Sequence, residues 1–158
     1  MSFRFPVATQ TPVQVSDFGH SERRYIIASY SFAFGVPLKI LCPRGYTWNV
    51  RAVYLEFTAS AVAGNRYPVV RWSREGSWPN TVFMASEAAQ VTTAGLTRWY
   101  SWMPGAASLV GGSGIAHEMI GLPTPFVMED GDGVSIDIVG GAAGDAGTFK
   151  VVVDEVID

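Results

Sequence analysis

The sequence predicts an all-β protein, an antiparallel β-sandwich or jelly roll of about eight strands with an extended N-terminal arm. Three observations carry that expectation. Short runs rich in aromatic and β-branched residues recur along the chain, turn chemistry separates them, and no stretch holds a strong helical period. Gly and Pro number 17 and 9, and many fall between the apolar runs. A length of 158 residues is that of one ordinary domain.

Taken in order, residues 1–22 are polar, contain Pro6 and Pro12, and read as an extended arm. Residues 23–158 read as a single sandwich domain. Its first strand covers 23–32, and a second short run covers 36–41, closed by Pro43 and Gly45. The longest candidate, 46–58, alternates Trp48, Val50, Ala52 and Tyr54 against Asn49, Arg51, Val53, Leu55 and Phe57. Bulk on both parities predicts a central strand contacted on both faces. Ala63-Gly64-Asn65-Arg66 is a turn, since Gly and Asn tolerate positive φ. The chain returns over 66–74, where Pro68 demotes the first half to an edge or bulge. Residues 81–91, with Ala85, Ala88 and Ala89, are the one place where a helical turn competes with a strand. Residues 96–103, holding Trp99, Tyr100 and Trp102, are a strand, and 104–125 are a Gly-rich loop. Residues 134–138 alternate cleanly, and after the Gly-rich turn at 140–147 the last strand covers 148–157.

Charged residues make up 16% of the chain against 48% hydrophobic and 13% aromatic, and ~25% charged is typical of soluble domains. Those values exclude disorder and a coiled coil, and Cys42 alone excludes a disulfide scaffold. Nine of the eleven bases are Arg. Arg forks onto carboxylates and stacks on aromatics, so a Lys-poor, aromatic-rich surface points to contact with other protein. The net charge of −3 is split unevenly, with +6 in residues 1–74, −2 in 75–128 and −7 in 129–158. The bases are interleaved with Tyr, Val and Trp, which argues against a basic groove for nucleic acid. First and last strands often lie close in a sandwich, so the halves are expected to neutralise each other within one subunit or between neighbours.

Met1-Ser2-Phe3-Arg4-Phe5-Pro6 lacks the charged-then-apolar pattern of a secretory signal, so synthesis in the cytosol is expected. The uncharged run at 101–116 is broken by Pro104 and several glycines, so no membrane partner is expected either.

Catalytic constellations fail one by one. In Glu129-Asp130-Gly131-Asp132-Gly133, a calcium loop counted from Asp130 has Val134 fifth and Gly141 twelfth, where oxygen ligands are required. An acidic tight turn is the better reading. His117-Glu118 opens a metalloprotease-like motif, but Gly121 stands where its second His belongs. His20 is remote, and Cys42, beside Pro43, reads as a buried small hydrophobe. Gly111-Gly112-Ser113-Gly114-Ile115 misses the nucleophile elbow at its last residue. Glu56, Glu87, Glu118 and Asp137 are carboxylates with no spacing that sets two of them at glycosidase separation. No catalytic residue, metal ligand or cofactor is therefore assigned.

Two signals remain. Trp72, Trp78, Trp99 and Trp102 either fill the core and subunit contacts or stack on sugar rings. Arg66 and Asp145 each follow a Gly-containing turn and are expected to act as structural ties, with Arg66 forking onto oxygens at a loop end.

The stretch from Trp48-Asn49-Val50-Arg51 through Thr58-Ala59-Ser60-Ala61 to Gly64-Asn65-Arg66, running into Tyr67-Pro68-Val69-Val70, resembles small virion proteins of tailed bacteriophages. Ala143-Gly144-Asp145 followed by Val151-Val152-Val153-Asp154-Glu155-Val156 is similar too, and the likeness covers residues 46–158. That resemblance implies a jelly-roll-like, non-enzymatic domain that works by assembly: a capsid cement or decoration protein, commonly a homotrimer. Its implied partner is the major-capsid lattice, and its place the capsid surface. The arm lies outside the matched stretch. Phe3, Arg4, Phe5 and Val7 are expected to bury apolar surface on a neighbour, while Arg forks tie to lattice carboxylates. The alternative is a tail, fibre or host-surface module that binds glycans through exposed aromatics.

Overall fold

Runs of aromatic and β-branched residues fold as strands throughout the described residues, which are 23–34, 38–74, 82–89, 91–109 and 117–157 of the computed structural model. The arm at 1–22, Trp78 and the Gly/Ser stretch at 111–115 lie outside that set. In chain order the strands are β1 (Arg23–Ala33), β2 (Leu38–Leu41), β3 (Tyr46–Thr58), β4 (Asn65–Ser73), β5 (Val82–Glu87), β6 (Thr92–Thr93), β7 (Thr97–Pro104), β8 (His117–Leu122), β9 (Val127–Met128), β10 (Gly133–Val139) and β11 (Ala146–Ile157). β6, β8 and β9 are additional to the runs read from the sequence. The Ala-containing segment where a helical turn competed carries strand β5.

One sheet has the order β1-β11-β3-β7-β8, with β9 also paired to β3; the other has the order β2-β10-β4-β5, with β6 paired to β4. Their inner faces meet in one hydrophobic cluster. The larger sheet contributes Val53, Leu55, Phe57, Trp102, Phe149 and Val151, the smaller one Val70, Trp72, Val134 and Ile136. Two sheets closing on a shared core make a β-sandwich arrangement.

β8 corrects the loop expected over 104–125. Its buried positions are Glu118, Ile120 and Leu122. A carboxylate therefore stands where alternation leads one to look for an apolar side chain, and Gly121 breaks the opposite face, which hides the period of two. β8 also runs parallel to β7, whereas the sequence predicts antiparallel pairing throughout.

β3 is central in its sheet, as its sequence predicts, but its faces depart from simple alternation. Trp48, Val50 and Ala52 are buried, and then Val53, Leu55 and Phe57 are. The buried set thus switches from even to odd positions. Val152 faces Ala52 but Val153 faces Val50, which leaves Arg51 as an extra residue in β3. One inserted residue sends every later side chain to the opposite face. Trp48, Val50, Val53, Leu55 and Phe57 thus form one core face read through a bulge, Ala52, paired with Val152, is buried outside that core, and Tyr54 is turned out to solvent.

Candidate functional site

The Gly64-Asn65-Arg66 turn delivers Arg66 into one end of the sandwich, where it is completely buried. Four acceptors surround its guanidinium. Nε donates to Asp145 Oδ2 at 2.8 Å, Nη1 to the Gly64 carbonyl at 3.0 Å, and Nη2 to the Val62 carbonyl at 2.7 Å and Ser60 Oγ at 3.2 Å. Asp145 in turn accepts from the Ser60 amide at 2.7 Å and the Ala142 amide at 2.8 Å. Burial pushes the Asp145 carboxyl up, but the Ser60 and Ala142 donors and Arg66 together outweigh it and hold the group below its ordinary value. Gly140 lets the two loops approach: its φ is +73°, and a Cβ there would collide with the Asn65 carbonyl. The site ties the β3–β4 loop to the β10–β11 loop. Every arm of its fork is occupied, so it offers architecture rather than reactivity.

The same pairing of chain halves recurs elsewhere. Arg51–Asp154, Arg66–Asp145, Arg71–Asp137 and Arg74–Asp132 each join an Arg from the basic half to an acid from the C-terminal stretch. Neighbouring strands explain this, because β3 pairs with β11 and β4 with β10. The four guanidiniums are held by this chain's own carboxylates, so these charges meet within one subunit. Only the Arg66 pair is enclosed, and pairs open to solvent contribute little stability.

The tryptophans separate sharply. Trp72 and Trp102 are 0% exposed and sit in the core, so neither presents a ring to a sugar or partner. Trp72 packs edge-on against Phe126 at 5.0 Å between ring centres. Trp99 is 44% exposed. Trp78, Phe3, Arg4, Phe5 and Val7 lie outside the described residues.

Other candidates take structural places. Residues 129–133 form a closed turn, in which the Asp132 amide donates to the Glu129 carbonyl and the Glu129 amide to Asp132 Oδ2. Glu118 is buried and accepts from the Ala89 amide at 2.8 Å. Glu56 points outward from β3, and Asp137 is tied to Arg71, so the carboxylates are dispersed. Among the described residues no group of three His, Cys, Asp or Glu side chains is placed to hold a metal. Cys42 is buried, and its thiol is pushed up to about 12, chiefly by burial and then by Glu155, Asp132 and Asp130, against a backbone contact at Trp48 that lowers it. It is therefore a thiol at neutral pH. Maleimide should leave the native protein unlabelled and modify it fully in denaturant; rapid native labelling would contradict this burial.

Sequence reasoning missed a patch on the outer face of the larger sheet. Across β11, β3, β7 and β8 one row reads Thr148, Glu56, Trp99, His117, and the next reads Lys150, Tyr54, Ser101, Met119. Trp99 Nε1 donates to Glu56 Oε2 at 3.1 Å, and Ser101 Oγ shares a 3.0 Å hydrogen bond with His117 Nε2. His117, expected in a surface loop, is the first residue of β8. A bulge-aware reading of β3 finds Tyr54 and Glu56 on this face, but no sequence signal placed β8 beside β7. No family model, curated protein or solved structure matches the chain.

Proposed function

We propose that the chain is a non-enzymatic assembly protein: a jelly-roll-type cement or decoration subunit that seats, as a homotrimer, on the major-capsid lattice of a tailed phage. The observation carrying this reading is the outer edge of β1. This strand is eleven residues long and pairs without a break to β11, from Arg23↔Val156 to Ala33↔Ala146. Among the described residues no strand pairs with its other side. Past Arg23 and Arg24 its sequence, Tyr25-Ile26-Ile27-Ala28-Ser29-Tyr30-Ser31-Phe32-Ala33, contains no Pro and no charged residue. Those residues, bulges and short length are the usual protections of a sheet edge.

The other edges differ. β2 has four residues, β5 has six with a bulge against β4, and the outer side of β8 is met by a bridge in which Leu109 and Met119 exchange backbone hydrogen bonds. A long, unguarded edge suits addition of a strand from a neighbouring subunit, where main-chain bonds supply affinity and side-chain pockets supply choice. Binding the assembled shell and not its free subunits would stabilise the shell by mass action.

Purified shells stripped of the protein are the test. Full-length chain should bind them saturably, with lattice-ordered density by electron microscopy. Removal of residues 1–15 should lower occupancy while the strand signature by circular dichroism persists. Ile27→Pro and Ala28→Pro form a second probe, since adjacent amides of an edge strand point to opposite sides. The variant that loses the outward N–H should stay folded and fail to attach. Absence of full-length chain from the shell rejects the reading.

A further inference from the structure

We propose that the outer face of the larger sheet around Trp99 is a binding platform for a neutral, pyranose-based carbohydrate. The inference is independent of the capsid reading, because it rests on a different face and on different chemistry.

The sheet itself builds the platform. Leu55, Phe57, Tyr100, Trp102, Phe149 and Val151 point into the core. Alternation then sends Tyr54, Glu56, Trp99, Thr148 and Lys150 to the other side. Trp99 stands directly opposite Glu56 on β3 and His117 on β8, and Tyr54 lies on the next row between Lys150 and Ser101. Tyr54 and Trp99 are therefore diagonal neighbours, within reach of one ligand. Both rings are open to solvent, at 37% and 44% exposure.

Hydrogen bonds set the Trp99 ring and the flanks of the patch. The Trp99 N–H reaches sideways to the Glu56 carboxylate on the adjacent strand, which lays the indole across the strand boundary instead of letting it stand free. Ser101 holds His117 in the same manner, and Thr58 and Thr97 bond to each other on the adjoining row. Trp99, Glu56, Ser101 and His117 therefore have less side-chain freedom to lose on binding, which favours even a shallow site.

The flanking chemistry selects the ligand. A protein hot spot buries its aromatic anchor inside a ring of groups that exclude water. Here the neighbours in the rows of the two rings are Glu56, Lys150, His117, Thr148 and Ser101, with Met119 the one apolar member, and a protein contact would have to desolvate the charged and polar groups at a cost. A pyranose has an apolar C–H face to lie on the indole and equatorial hydroxyls that satisfy such groups at its rim. One carboxylate and one ammonium leave the patch near charge balance, so neither a polyanion nor a polycation is favoured over a neutral sugar.

Short linear oligomers of glucose, galactose and N-acetylglucosamine are the probes, titrated into the full-length chain with tryptophan fluorescence and NMR as readouts. At least one should shift the emission of Trp99 and the resonances of Tyr54, His117 and Thr148. Trp99→Ala should weaken that oligomer roughly tenfold or more, the scale of one aromatic contact. Trp99→Phe should restore part of the affinity, and Glu56→Gln should lower it. Trp99 lies on the surface, so an unchanged melting temperature in these variants shows that the fold is kept. If all three oligomer classes leave the face unperturbed, or if binding survives Trp99→Ala together with Tyr54→Ala, the proposal is wrong. Loss of shell attachment in Trp99→Ala without any sugar response would make the face a protein contact, and would likewise overturn it.

Discussion

Arg66→Ala should lose about 3–5 kcal/mol of folding stability, because it leaves the Asp145 carboxylate enclosed without its partner. The guanidinium is completely buried and its donors serve Asp145, Gly64, Val62 and Ser60. Removing it strands oxygens from two loops at once. Arg66→Lys keeps the charge, but a single ammonium cannot reach acceptors spread around a planar fork. It should lose a large part of the same stability. Replacing both partners, as Arg66→Met with Asp145→Leu, should cost less than the single losses summed, since no charge is then left buried alone.

Acid titration gives a second handle on the tie. Asp145 is held below its ordinary value against the opposing effect of burial. A carboxylate with a depressed folded value contributes fully above its unfolded pKa of ~3.9, and loses that contribution as pH falls through the folded value. Urea unfolding from neutral pH downward should therefore show a steep acid limb in the native chain and a shallower one in Asp145→Asn. An Arg66→Ala loss below about 1 kcal/mol, the scale of an exposed pair, would show that the tie is not structural.

Trp72→Ala should cost about 3–5 kcal/mol, the usual effect of emptying a large aromatic site in a core. The sharper comparison is with phenylalanine. Among the described residues the buried indole N–H of Trp72 has no hydrogen-bond partner, whereas Trp48 donates to Glu155 Oε2 at 2.8 Å. Trp→Phe deletes the same atoms at both sites. Trp72→Phe should therefore lose only packing, while Trp48→Phe should lose a further ~1–3 kcal/mol by depriving a buried carboxylate of its donor. Chemical denaturation of the two variants decides it, and equal losses would mean the Trp48–Glu155 bond adds nothing.

Much of the fold was legible, for local reasons. β3 was read with the bounds it has, because thirteen residues of β-branched and aromatic character end at turn formers. Its faces were not, because a bulge is set by the partner strand and leaves no mark in one-strand alternation. β8 escaped because Glu118 and Gly121 interrupt its pattern, and only the parallel pairing to β7 makes a strand of it. At the site level, Gly64-Asn65-Arg66 and Gly144-Asp145 drew notice as turn chemistry. Bringing Arg66 and Asp145 within 2.8 Å required β4 and β11 to end at one pole of the sandwich. The four tryptophans in and near the middle strands looked equivalent as letters. Alternation against a core buries Trp72 and Trp102 and exposes Trp99.

The all-β class, the positions of the main strands and the division of charge into a basic first half and an acidic end are written along the chain itself. Those properties are local: they follow from residue type, period and turn chemistry along the chain. Which charges meet is a property of the folded sandwich. Pairing β3 with β11 and β4 with β10 turns a chain-length asymmetry into ion pairs a few ångströms long, one of them sealed from water. It likewise sets which aromatics, Trp99 and Tyr54 among them, remain at the surface. Burial and pairing belong to residues far apart in sequence, and no local pattern encodes which of them become neighbours.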